Sequence, residues 1–368
     1  MLEKGKISAL QMGIMMYPTV IATALLLVPA ITTHHAGRDM WISPLWASLV
    51  GFLTVYFAGQ LNKLYPNDTI IQYSSRIVGV IPGKIIGLLL LFFYLHVNGV
   101  IIREYGEFVV GAFLTRTPLI AVAGIMTLAC AMAVRGGVEV LGRLGQMSVP
   151  VILLLLLFIL VLLLGDLEIK NMFPVMEKGW MPSFKGAVTP MGWFSEFVLM
   201  SFLLPYLKDR KKGLKWGMIS VAAVMSTMLL SNLAVLFVLG EITGSLTYPV
   251  MSVVRYISIA DFLEHLEALV MAIWVVGAFI KISVFYYILA LGTAQWLNLS
   301  DYRPLVFPLG ILLVLFAIWS APNLPELAHF LGTSSAFYLM SVQTVLPLLL
   351  LIVASLRKGI RMDEKGPD

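Results

Sequence analysis

The chain has 368 residues, 60% of them hydrophobic and only 12% charged, with a formal net charge of +5 and a mean hydropathy of +0.93. Soluble domains carry about 25% charged residues, so this composition excludes a soluble globular protein and, equally, a disordered chain. The single cysteine, Cys130, excludes an internal disulfide and a cysteine-based metal site, and the dispersed basic residues do not form a nucleic-acid surface.

The remaining class is an all-α polytopic membrane protein. A helix needs about 20 mostly apolar residues to cross a bilayer. Ten stretches qualify, roughly 9–32, 41–62, 85–111, 118–134, 147–165, 189–207, 214–239, 268–296, 304–320 and 336–356. The first follows Lys4 and Lys6, as in a signal peptide, but its apolar run is longer than a signal's and ends at Val28-Pro29 without a small-x-small cleavage site, so it reads as retained. Residues 63–84 read as a cytoplasmic surface helix, or else as an ordinary loop. Thr69 and Gln72 stand at capping-box spacing, and Ile70, Ile71, Ile77, Val78 and Ile81 form an apolar side. A short Arg/Gly-rich connection is expected at 135–146 and an irregular Pro/Gly-rich outer loop at 166–190. Over 249–267, Val253, Val254, Ile257, Phe262, Leu263 and Leu266 predict a short amphipathic outer helix.

With the N-terminus in the cytoplasm, 17 Lys and Arg residues fall in inside segments and 6 in outside segments. This bias follows the positive-inside rule. It puts both termini inside, including the tail 357–368, and requires an even number of spans.

Five charges fall within the predicted spans away from their ends: Arg103, Glu104, Glu107, Glu196 and Lys281. Each costs about 2.5–3.5 kcal/mol at the centre of an isolated span, so each needs a partner, water or a function. Arg103 and Glu107 share a face with His96 and Val100 and can pair along the helix. Glu104 is expected to point elsewhere, snorkelling or meeting an outer loop. Glu196 and Lys281 have no opposite charge at helical spacing on their own helices. They can pair with each other or with exposed backbone dipoles.

Spans one and six both carry breakers. Pro18 and Pro29 flank Ala22-Thr23-Ala24, and Pro190, Gly192 and Pro205 flank Glu196. Proline within a span removes a backbone hydrogen bond and frees a carbonyl. The two spans are five apart, and groups of five helices necessarily have opposite topology. The pattern predicts a single membrane domain of LeuT-like 5+5 inverted-repeat type, with repeats at about 9–165 and 189–356 and helices 1 and 6 discontinuous. The expected ligand site lies at the midplane. Backbone N–H groups around Ala22, Thr23 and Ala24 would meet a carboxylate. Glu196 and Phe197 would face the ligand amine or an ordering partner, Phe93 and Val97 would form an apolar wall, and Ile280 and Lys281 would close the far side. No nucleophile–base spacing, metal-ligand cluster or glycine-rich phosphate loop is present in the sequence, so neither catalysis nor a metal or cofactor is expected.

Specific stretches resemble the B subunit of spore germinant receptors, within the amino acid–polyamine–organocation transporter superfamily. The carriers are PNDTIIQYSSRIVG, NMFPVMEKGWMPSFKGAVTP followed by WFSEF, LLPYLKDRKK, and YPVMSVVRYISIADFLEHLEALVMAIWVVGAFIKISVFYY, and the likeness covers nearly all of 6–357. It implies a spore inner-membrane receptor for nutrients such as amino acids. Such a receptor works with an A subunit, a membrane protein with a soluble domain, and a C subunit, a lipoprotein. Family members often have Gly-Thr-Gly where this chain has Ala22-Thr23-Ala24, whose methyl groups crowd a ligand approaching the backbone. The family's Phe-Gly-Glu reads here Phe194-Ser195-Glu196, which keeps the acid. Lys281 lies where the LeuT-like fold places a sodium ion, for which its ammonium could substitute. The rival functions are an amino-acid permease of the same fold, proton-coupled or uncoupled, and a structural subunit without a ligand.

Overall fold

A computed structural model describes residues 2–256 and 266–363. The named elements among these residues are all helical: α1 (Ala9–Ala36), α2 (Ser43–Leu64), α3 (Ile70–Val78), α4 (Val80–Ala112), α5 (Leu119–Arg135), α6 (Val138–Leu162), α7 (Met181–Ser195), α8 (Met200–Leu203), α9 (Gly213–Leu239), α10 (Pro249–Tyr256), α11 (Glu267–Trp296), α12 (Arg303–Trp319), α13 (Leu324–Gly332), α14 (Ser335–Met340) and α15 (Leu346–Asp363), joined by short 3-10 turns. Seven helical stretches are long and apolar enough to cross a membrane, or eight if the bent pair α12 and α13 counts as one span. The expected ten differ for identifiable reasons. The stretch Ala9–Leu64 runs through a 3-10 turn and holds both of the first two expected spans, and α5 has only 17 residues.

Burial sorts the helices into a centre and a rim. The most apolar windows of Ala9–Leu64 and Met181–Tyr206 are 89% buried, whereas that of Val138–Asp166 is 22% buried. Large apolar side chains on α5, α6, α12 and α15, such as Ile125, Leu154, Ile311 and Leu349, face outward. Such a surface is stable against lipid tails and not against water. The chain is an integral membrane protein whose central helices are shielded from lipid by their neighbours.

The expected break in helix 1 is not present: α1 is one continuous helix containing both Pro18 and Pro29. Buried hydroxyls at these points bond to the backbone. Thr19 Oγ1 donates to Met15 O at 2.8 Å, and Thr33 Oγ1 donates to Pro29 O at 2.6 Å, next to the carbonyls of Ile14 and Leu25 that the prolines leave without a helical donor. Neighbouring helices and Thr side chains commonly let a membrane helix tolerate proline in this way. Helix 6 is interrupted as expected. The α-helix stops at Ser195, Glu196–Leu199 form a 3-10 turn, α8 adds one turn, and Leu204–Tyr206 end the segment.

Several boundaries also move. Helix α7 begins at Met181, eight residues before the expected span, because Pro182 in the first turn needs no donor there. Only Gly136 and Gly137 separate α5 from α6, with Gly137 at φ +86°, a conformation open to glycine. The surface helix α3 has its capping box intact and docks Ile70, Ile71 and Ile77 into the core, but Ile81 belongs to α4 and is exposed. Of the outer amphipathic helix, α10 is present with Val253 and Val254 buried; Ile257, Phe262 and Leu263 lie outside the described residues. Helix α13 was not expected. It starts at Asn323, whose side chain accepts from Glu326 N at 2.9 Å, and bends 93° from α12.

Candidate ligand site

The break in the sixth segment is held open by named bonds. Ser195 Oγ lies 2.6 Å from Gly192 O and 2.7 Å from the side-chain amide of Gln343. The single hydroxyl proton is shared between two acceptors, Gly192 O and Gln343 Oε1, and Gln343 Nε2 is buried with no hydrogen-bond partner among the described residues. Gln343 sits in a five-residue π-helical turn, Ser341–Val345, between α14 and α15. Irregular backbone in two helices thus meets at one depth, where such turns often mark functional sites.

Glu196 is the first residue past the α-helical part of the break. Its two carboxylate oxygens accept from Lys281 Nζ at 2.9 and 2.7 Å. The pair is sealed, with Lys281 fully buried and Glu196 nearly so. The ordering partner of Glu196 is therefore the Lys281 ammonium.

Beside this pair lies a hollow of about 30 Å³. Thr23 reaches it from α1; His96, Val97, Val100, Ile101 and Glu104 from α4; Trp193 and Glu196 from the sixth segment. Phe330 and Leu331 of α13 and Ser335, Tyr338 and Leu339 of α14 complete it. Trp193 Nε1 donates to Thr23 Oγ1 at 2.9 Å, tying α1 to α7 across its edge. His96 Nδ1 and the Tyr338 hydroxyl lie 3.1 Å apart.

The expected site residues divide accordingly. Thr23, Val97 and Glu196 line the hollow, and Lys281 joins them through Glu196. Phe93 stands one layer behind, its ring centroid 4.9 Å from that of Tyr338. Ala22 faces Gly277 of α11, and Ala24, Phe197 and Ile280 are buried in the surrounding core. Because α1 is continuous, the N–H groups of Ala22, Thr23 and Ala24 belong to its internal ladder and are not free for a carboxylate. Thr23 contributes its side chain instead.

Residues that the sequence reading missed are Trp193, His96, Tyr338 and Glu104. The last was expected to point away, yet it faces the hollow on the same side of α4 as Val97 and Ile101. Spacing of four and seven residues from Val97 was the available signal. The Arg103–Glu107 pair is present at 2.6 Å.

A bundle of apolar helices with an interrupted helix at its centre fits the LeuT-type fold, and solved structures share that fold. A Na+-coupled sialic acid symporter matches with a TM-score of 0.65 and 14% identity, over 93% of this chain and 80% of that one. Mhp1, a nucleobase-cation-symport-1 family transporter, matches with a TM-score of 0.68 and 12% identity over 95% and 78%. MhsT in complex with L-phenylalanine matches with 0.62 and 13% over 95% and 99%. The family model described as spore germination protein matches residues 6–325, and the chain belongs to that family. Relatives in Bacillus subtilis (strain 168) include spore germination protein KB, 27% identical over 100% of this chain and 99% of its own length, and spore germination protein YndE, 26% identical over 96% and 98%.

Proposed function

We propose that the protein is the nutrient-sensing membrane subunit of a spore germination receptor, and that a small nutrient, an amino acid by class, binds in the hollow between α1, α4, the sixth segment, α13 and α14. The observation that carries this reading is a polar-edged hollow at the break of helix 6 in a chain of the spore germination protein family. Thr23, Val97 and Glu196 contact the ligand, Lys281 orders Glu196, and Phe93 backs the wall. Ala22, Ala24, Phe197 and Ile280 shape the site from behind. The single domain is built of inverted repeats at about 9–165 and 189–356, with both termini cytoplasmic in the spore inner membrane. The bound state favours one packing of the two halves, by no more than the difference in ligand affinity between packings, and an A subunit and a C-subunit lipoprotein receive the change.

The test is direct binding of an amino-acid and sugar panel to the purified chain, with Val97→Phe as the site variant. An amino acid that binds the wild type and not the variant supports the reading; binding unaltered by the variant overturns it. The transporter fold of the solved neighbours favours a second reading, a permease. Ligand-specific uptake into liposomes containing this chain alone would establish that reading in its place.

A further inference from the structure

The five charges within the predicted spans away from their ends comprise three acids and two bases. Arg103 is joined to Glu107 at 2.6 Å, and Lys281 to Glu196 at 2.7 Å. Glu104 is left over. It is 4% exposed, and its Oε1 has no hydrogen-bond partner among the described residues. It also borders the hollow. A buried carboxylate without a partner is strongly unfavourable until a cation or a proton joins it. Aliphatic side chains of Val97, Val100 and Ile101 surround the same space, and the low dielectric they create strengthens any ion pair formed there.

We propose that Glu104 recognises the positively charged group of the ligand, so that the ammonium of a small amino-containing nutrient sits in the hollow against its free oxygen. This inference rests on the hollow being the ligand site. The sequence pattern gives Glu196 either the ligand amine or an ordering partner, and Lys281 already neutralises that charge. Size agrees: about 30 Å³ accommodates one ammonium or one water. The remainder of an amino acid needs volume now filled by Phe330 and Leu331, so binding displaces α13.

The experiment uses the full chain in lipid nanodiscs, followed by ligand-dependent thermal unfolding. The probes are L-alanine, L-valine and L-leucine, each beside its des-amino acid and its decarboxylated amine, together with glucose, and with sodium chloride against choline chloride. In the wild type an amino acid and its amine should protect, while the des-amino acid and glucose should not. Glu104→Gln should need at least tenfold more amino acid and lose the preference over the des-amino acid. Glu104→Asp should keep the preference at reduced affinity, and it carries the test if Glu104→Gln does not fold. Wild-type affinity and preference in Glu104→Gln, or in Glu104→Asp where only that variant folds, overturns the assignment while leaving the hollow as the ligand site. Protection by glucose or a des-amino acid alone, or by sodium alone, also overturns it. No protection of the wild type by any probe, or protection unchanged in Trp193→Ala, removes the hollow itself as the ligand site and the assignment with it.

Discussion

Lys281 and Glu196 hold each other in a place where neither could stay alone. Removing one partner of a buried pair leaves an uncompensated charge, which typically costs about 3–5 kcal/mol, whereas removing both leaves none. Lys281→Met should lower the unfolding free energy in detergent by roughly that amount, and adding Glu196→Gln should restore most of it. Denaturant titration of the two single variants and the double variant checks this; additive losses would mean the two do not act as a pair. A gentler change is Trp193→Phe, which keeps the ring but loses the donor to Thr23 at 2.9 Å. One such bond is worth about 1 kcal/mol, so the unfolding free energy should fall by roughly that amount, with no further fall in the double variant with Thr23→Val. Denaturant titration of the three variants measures it. At this scale the sequence revealed which charges needed partners, but it did not reveal their directions. Arg103 and Glu104 are adjacent, and α4 is so uniformly apolar around them that periodicity marks no inner face. The spacing from Val97 put Glu104 on the Val97 side of α4, but only packing reveals that this side meets the hollow while Arg103 turns to α12.

Helix α4 is where the elements meet most closely. At Gly99 an added methyl would stand 2.7 Å from Phe316 Cβ and 3.0 Å from the Phe316 carbonyl carbon of α12. Backbone cannot retreat as a flexible side chain can, so Gly99→Ala should separate the two helices and cost about 1–3 kcal/mol. A thermal melt no lower than wild type would contradict this close approach. One turn further along α4, Arg103 Nη1 and Nη2 donate to Ile318 O at 3.4 Å and Pro322 O at 3.2 Å, the carbonyls at the corner where α12 turns into α13. The guanidinium fork thus braces the bend that sets Phe330 and Leu331 over the hollow. Capping residues made part of this architecture legible in advance: Thr69 and Gln72 marked α3, whereas α13, capped by Asn323 accepting from Glu326 N, was not expected. The continuity of α1 was not legible. Whether prolines break a helix depends on the neighbours packed around them, and the local sequence, which shows Pro18, Thr19, Pro29 and Thr33, carries none of that packing.

Across the whole molecule, the end of the bundle that carries the N-terminus is fastened by its first few residues. Glu3 Oε2 accepts from Val138 N at 3.2 Å, Tyr287 OH at 3.3 Å and Tyr302 OH at 3.2 Å, so one buried carboxylate joins the start of α6, the middle of α11 and the entry to α12. Burial, and then the adjacent Glu3 carboxylate, push the Tyr302 hydroxyl above the usual phenol range, which keeps it protonated and donating. Ile7 exchanges backbone bonds with Tyr206 and Lys208 beyond the sixth segment, and Asp209 accepts from Ala9 N at 2.6 Å at the head of α1. The same short strap therefore grips two of the elements that border the hollow, α1 and the sixth segment, and three helices that do not. Any rearrangement that moves α1 relative to the sixth segment must keep this strap intact or release it. Glu3→Ala should release it, because three donors lose their shared acceptor while the apolar core around them stays. Amide hydrogen exchange at residues 138–141 should then accelerate at least tenfold, with the amides in the middle of α4 unchanged. Equal acceleration throughout the bundle would mean that Glu3 supports global stability and not this junction. No acceleration at all would mean that the strap closes nothing.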